Sequence, residues 1–267
     1  MPTMLPSAET LRSWAAASQL DDLALVLQTG DQSRRIDAER PLYPASMIKL
    51  PLAAAILCEV EAGRLHLDQR IRIQPGNMTA NDAPSPLEPG YAATLDELIH
   101  RAIAYSDNVA TNTLFDAVGR ARATAIARER LGLPRTSFQR KLSGSDPLIH
   151  DPLWNGVDLN THPAADAAHL LSAISRAEVP GSARLRSALG AQIWNDKLSA
   201  GLSAGDRFEH KTGETGSVCH DGGILTTASG LEVVVVLYTG APSTDEQSAR
   251  LATFMRCLRP ALAPVGA

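Results

Sequence analysis

Tyr43-Pro-Ala-Ser-Met-Ile-Lys-Leu-Pro-Leu-Ala-Ala-Ala-Ile-Leu-Cys58 is the stretch on which the reading of the whole chain turns. Pro44 and a small residue suit a turn into a helix. Ser46 and Lys49 follow, three residues apart, ahead of an almost wholly apolar run to Val60. Residues three apart share one helix face, so the hydroxyl and the amine are expected to be neighbours. The apolar run predicts a buried helix, and a lysine at its mouth is costly to keep charged. A desolvated lysine beside a serine hydroxyl is one way to make that serine a nucleophile. Alone, a Ser-x-x-Lys pair reads more readily as a helix cap followed by a solvated lysine. Its meaning depends on the rest of the chain.

The chain has 267 residues, enough for one large domain or two small ones. A hydrophobic content of 44% and a charged content of 20% describe a globular protein with a real core. The net charge of -4 and pI near 6.0 give no reason to expect nucleic acid or an anionic membrane as partner. Basic residues are mostly arginine, the lysines being Lys49, Lys141, Lys197 and Lys211 alone. The three cysteines Cys58, Cys219 and Cys257 show no pairing or metal spacing and read as buried small hydrophobes. The histidines have no ligand spacing, so neither a metal nor another cofactor is expected. No window approaches a membrane span and no signal peptide is visible. A cytoplasmic monomer is therefore expected for the chain as it stands, and a periplasmic or secreted one if a leader precedes it.

In order, residues 8 to 20 predict a helix, and Leu23–Gln28 and Arg34–Glu39 a strand hairpin around Thr29-Gly30-Asp31. The Ser46 helix stops near Gly63, and a short strand covers Gln69–Gln74. Pro75–Gly90 is loop by composition, and Thr94-Leu-Asp-Glu97 has capping-box spacing for a helix to about Ala104. Ser106-Asp-Asn108 interrupts before helices at Val109–Val118 and Ala121–Leu131. Residues 139 to 162 predict a long loop, a length that usually carries function. Helices follow at Pro163–Arg176 and Ser182–Trp194, then strands at Arg207–Thr212, Cys219–Thr227 and Leu231–Tyr238, and a last helix at Ser243–Leu258. This order suits an α/β (α+β) fold: an antiparallel sheet assembled from both chain ends, with the helical middle as a second lobe. The lobes are expected at about 1–60 plus 195–267 and about 61–194, within one domain spanning 1–267.

Three signals occur in one order: Ser46-x-x-Lys49, Ser106-Asp107-Asn108 and Lys211-Thr212-Gly213. Each tripeptide would arise by chance in only about one chain of this size in twenty. With Tyr43-Pro-Ala before the serine, His220-Asp221-Gly-Gly after the last motif, and Asn160-Thr-His-Pro163 with Asp166 leading into a helix, the sequence resembles the penicillin-recognising serine hydrolases. It is most similar to their class A β-lactamase-like group. The resemblance implies a β-lactamase/transpeptidase-like fold: a five-stranded antiparallel sheet flanked by helices, an all-helical lobe, and the site between them. It also implies the roles. Ser46 attacks a carbonyl, and its N–H serves an oxyanion hole together with a donor just past Gly213, with Thr215 the candidate. Lys49 depresses the serine's pKa or takes its proton. Ser106 relays a proton to the leaving nitrogen, and reads as a helix N-cap as well. Asn108 faces the substrate's acylamide group, and Asp107 holds its turn. Lys211 and Thr212 bind a carboxylate, which His220 reinforces or merely borders as a surface loop residue.

One departure stands out. Class A enzymes hydrolyse the acyl-enzyme with a water held by a loop glutamate, four residues before an asparagine. If Asn160 is that asparagine, Gly156 takes the place of the glutamate, and residues 139 to 162 contain no glutamate. Asp146, Asp151 and Asp158 are the only carboxylates there and read as solvated. Acylation by a β-lactam, an activated ester or a peptide-like carboxylate, followed by slow turnover, is the expectation. A D-alanyl-D-alanine peptidase, a cytoplasmic esterase or amidase, and a non-catalytic β-lactam sensor are the alternatives.

Overall fold

In the computed structural model, which describes residues 5–262, α1 (Ala8–Ala17) opens on a Ser7 cap whose hydroxyl accepts from the Thr10 N–H. Strands β1 (Leu23–Thr29) and β2 (Gln32–Ile36) follow as a hairpin. Gly30 lies at φ +50, so Gly30 and Asp31 make the whole turn and Thr29 pairs directly with Gln32. The second strand therefore starts two residues before the expected Arg34, and it stops at Ile36 where Asp37 turns to φ +45. Next come α2 (Lys49–Glu61), the short pair β3 (Arg70–Arg72) and β4 (Ala92–Thr94), α3 (Leu95–Ala104), α4 (Asn108–Val118) and α5 (Arg120–Glu129). Strand β4 is too short to show in the sequence and is made by pairing with β3. The chain ends with α6 (Ala164–Ser175), α7 (Ser182–Gly190), β5 (Arg207–Glu214), β6 (Cys219–Thr226), β7 (Glu232–Thr239) and α8 (Asp245–Leu258).

Among the described residues, 5–47, Pro163–Ser172 and 194–262 form one compact unit; Ile48–His162 and Ala173–Ile193 form the other. The first holds a five-stranded sheet in the order β2-β1-β7-β6-β5, with every neighbouring pair antiparallel. Strand β7 joins the two chain ends, Leu25 pairing with Leu237 and Asp221 with the same Leu237 from the other side. Alternate residues Leu23, Leu25 and Leu27 of β1 and Val233, Val235 and Leu237 of β7 pack with Leu251, Phe254 and Leu258 of α8 and Leu11 of α1. The opposite face of these strands, with Val26, Val236 and Tyr238, is buried too. That is why β7 reads as a continuous apolar run rather than an alternating one.

In the second unit α2 is buried from Lys49 to Glu59 and packs among α3, α4, α5 and α7. A helix apolar all round is a core helix. Residues 139–162 form the expected long loop, and it is firmly anchored. Arg120 forks onto Asp151 at 2.6 and 2.8 Å, with both side chains largely buried. Asn160 Oδ1 accepts from the N–H groups of Gln139 and Arg140. Lys141 Nζ reaches Asp116 at 2.9 Å.

Candidate active site

Lys49 begins α2 and is fully buried. Its Nζ is hydrogen-bonded with Ser106 Oγ at 3.1 Å, with Asn108 Oδ1 at 2.8 Å and with the Ser106 carbonyl. A buried lysine needs this density of acceptors to remain in place. Ser106 sits at φ +56, a conformation most side chains avoid, and strain of this kind collects at functional positions. The cap of α4 is Asp107 and not Ser106. The left-handed backbone takes Ser106 out of the extended geometry a cap requires and aims its hydroxyl at Lys49. Asp107 also binds Asn81, Ser85 and Arg101, so it holds the turn as expected. Asn108 spends its Nδ2 on the Ala80 carbonyl at 2.9 Å, and its N–H on Asn81 Oδ1.

In the sheet unit, Ser46 lies in a single 3₁₀ turn, Ala45–Ile48, that runs straight into α2. It is half-buried. Ala45, just before it, is left-handed at φ +46, the second such non-glycine residue among the motif positions and their neighbours. Strand β5 presses on this turn. A Cβ on Gly213 would lie 2.9 Å from the Pro44 carbonyl oxygen and 3.1 Å from the Met47 nitrogen, so only glycine fits there. Lys211 and Thr212 are buried beside it, with Lys211 Nζ donating to the Thr212 carbonyl at 2.8 Å.

Two expected substrate-binding residues are placed otherwise. The Thr215 N–H donates to the Val218 carbonyl at 2.9 Å and its hydroxyl accepts from Ser217 and Val218, so Thr215 closes the β5–β6 turn. Because N–H groups alternate in direction along a strand, it is the Glu214 N–H that turns outward from β5, the free edge of the sheet. His220 is fully buried, its Nε2 donating to the Tyr43 carbonyl at 2.8 Å and its Nδ1 accepting from the Thr239 N–H at 3.2 Å. Burial drives its pKa down to about 4 against the raising effect of that carbonyl. A neutral imidazole with both nitrogens engaged is not a carboxylate ligand.

Asp151, expected to be solvated, is the buried partner of Arg120. Burial pushes its carboxyl up, but the guanidinium and the Lys141 N–H outweigh this and hold it below the usual range. Asp146 and Asp158 are exposed. Sequence reasoning passed over Asn112 and Leu142. Asn112 lies one turn along α4 from Asn108, and its amide brackets Leu142, accepting from the Leu142 N–H at 2.8 Å and donating to its carbonyl at 2.9 Å. The i, i+4 spacing of the two asparagines was the available signal. Among the described residues no group of three or more His, Cys, Asp or Glu is arranged to hold a metal ion. No described helix is long and apolar enough to cross a membrane.

A five-stranded antiparallel sheet built from both chain ends, joined to a helical unit in this element order, defines the β-lactamase and penicillin-binding class of fold. The chain belongs to the beta-lactamase enzyme family, whose profile matches residues 8–255. It is 26% identical to the beta-lactamase regulatory protein BlaB of Streptomyces cacaoi, over 80% of this chain and 81% of that one. Among solved structures it is similar to a point mutant of PBP-A described as an acyl-enzyme complex with penicillin G, at 25% identity, TM-score 0.82 and 98% coverage of both chains. It is also similar to an ancestral class A beta-lactamase, at 26% identity and TM-score 0.80, covering 94% of this chain and 97% of that one.

Proposed function

We propose that the protein is a serine acyl hydrolase of the class A β-lactamase type that is acylated readily and deacylates slowly. The observation that carries this reading is the buried Lys49 amine, held by Ser106 Oγ and Asn108 Oδ1, one helical turn after Ser46. Ser46 Oγ attacks the carbonyl carbon of a β-lactam or a related carboxylate-bearing amide or ester, and Lys49, in the neutral amine form that burial favours, accepts its proton. The ring C–N bond breaks, and Ser106 delivers its proton to the departing nitrogen while regaining one from Lys49 across their 3.1 Å contact. The N–H groups of Ser46 and Glu214 take the oxyanion, Asn108 receives the acylamide group, and Lys211, Thr212 and Gly213 serve the substrate carboxylate.

Slow deacylation is supported by the loop. Residues 139–162 have no glutamate, Asp151 is neutralised by Arg120, and the loop backbone that Asn112 holds one α4 turn beyond Asn108 belongs to an apolar residue, Leu142. Such an enzyme retains its acyl group, which also suits a β-lactam sensor. Similarity to a protein described as regulatory favours that second reading. Stopped-flow mixing with a chromogenic cephalosporin tests the proposal. A burst of one equivalent followed by a slow steady state is expected. Turnover at about tens per second with no burst would show that another base activates water.

A further inference from the structure

We infer that His220 is a positioning residue for the nucleophile, clamping the Tyr43 carbonyl and thereby fixing the turn that presents Ser46. This rests on the reading of Ser46 as the nucleophile. The geometry itself is independent of any substrate. Tyr43 stands three residues before Ser46, and the connecting residues include Ala45 in its left-handed conformation. A backbone held there against its own preference must be fixed from outside. The described contacts fix it from two neighbouring strands of the sheet. Gly213 of β5 sits against the Pro44 carbonyl and Met47, and His220, its direct partner on β6, binds the Tyr43 carbonyl.

The clamp is rigid because every freedom of the imidazole is taken up. A carbonyl at Nε2 requires a proton there, and the Thr239 N–H requires a lone pair at Nδ1, so one tautomer satisfies both. The ring is also stacked on Tyr238, with centroids 4.1 Å apart and planes 12° from parallel. Tyr238 is the register partner of His220 on β7. The described hydrogen bonds of His220 go to backbone and its ring face to Tyr238, none of them a reacting group. Its effect passes through the placement of Ser46, where a displacement of about 1 Å lowers reactivity about a hundredfold.

Three variants separate the clamp from mere filling of the core. His220→Phe keeps the ring stack and loses both hydrogen bonds. His220→Asn reaches Thr239 but is too short for Tyr43, and His220→Gln can still donate to the Tyr43 carbonyl. Two readouts apply to each: hydrogen–deuterium exchange of the peptide spanning 42–49, and the second-order rate of Ser46 acylation by benzylpenicillin. In His220→Phe and His220→Asn, exchange at 43–47 should rise and acylation fall at least about tenfold, with the decay of the adduct unchanged. His220→Gln should restore both to within about threefold of the parent. If His220→Phe does not fold, the Asn–Gln pair makes the same comparison. Unchanged exchange at 43–47 in His220→Asn overturns the clamp. Faster exchange in His220→Asn, alongside a parent protein that benzylpenicillin never acylates, upholds the clamp and strikes the hydrolase reading instead.

Discussion

Lys49 shows how one residue ties burial to chemistry. Three oxygens surround an amine that has no contact with solvent, so removing it takes a partner from each of those oxygens and removes the proposed base. Lys49→Met is expected to lower the acylation rate by about 10²–10⁴, measured as the burst rate, and Ser46→Ala to abolish the burst. Leu142 carries a prediction of opposite sense. Its backbone is held by Asn112, one turn along α4 from the asparagine that binds Lys49. Leu142→Glu should place a carboxylate within reach of that amine and shorten the life of the acyl-enzyme at least about tenfold, with acylation little changed. An adduct of unaltered lifetime would show that position 142 does not address the reacting carbonyl. The three motifs were legible in the sequence because they are local. His220 and Thr215 were misjudged because their partners, the Tyr43 and Val218 carbonyls, are backbone atoms that no side-chain pattern records.

Among elements, the long loop at 139–162 depends on ion pairing more than on apolar burial. Leu153 and Val157 are 79% and 78% exposed, whereas Arg120 and Asp151 are among its best-buried contacts. Breaking a buried pair by removing one partner costs about 3–5 kcal/mol. Asp151→Asn is therefore expected to lower stability by about that much in urea unfolding and to open the loop to limited proteolysis near 146–160. An unchanged unfolding midpoint would mean that Asn160 and Asn112 hold the loop alone. Helix and strand positions follow closely from periodicity and caps, as at Thr94, whose side chain accepts from the Glu97 N–H. Strand β4 and the start of β2 did not, since pairing with β3 and the left-handed Gly30 decide them. The loop's length could be read from its composition, but its anchoring could not, because Arg120 lies 31 residues from Asp151.

For the molecule as a whole, buried neutral histidines contribute to acid sensitivity. Burial lowers His162 to about 3 and His220 to about 4, whereas in the unfolded chain both titrate near 6.5. Below 6.5 the unfolded chain takes up protons that the folded chain refuses, so stability falls as pH drops toward 4 and is level above 6.5 as far as these groups go. His220→Gln should flatten part of that slope in thermal melts between pH 4 and 6.5, and a parallel curve would contradict the assignment. All four lysines are buried, which leaves Ser46 without competition from surface lysine amines for an acylating agent. The central claim is accordingly tested most directly by intact mass after exposure to benzylpenicillin, with Ser46→Ala as control. The account predicts a single adduct of the full mass of the drug, carried on the Ser46 peptide, persisting for minutes and absent from the control. No adduct together with no loss of the drug, or an equal adduct on Ser46→Ala, would contradict it.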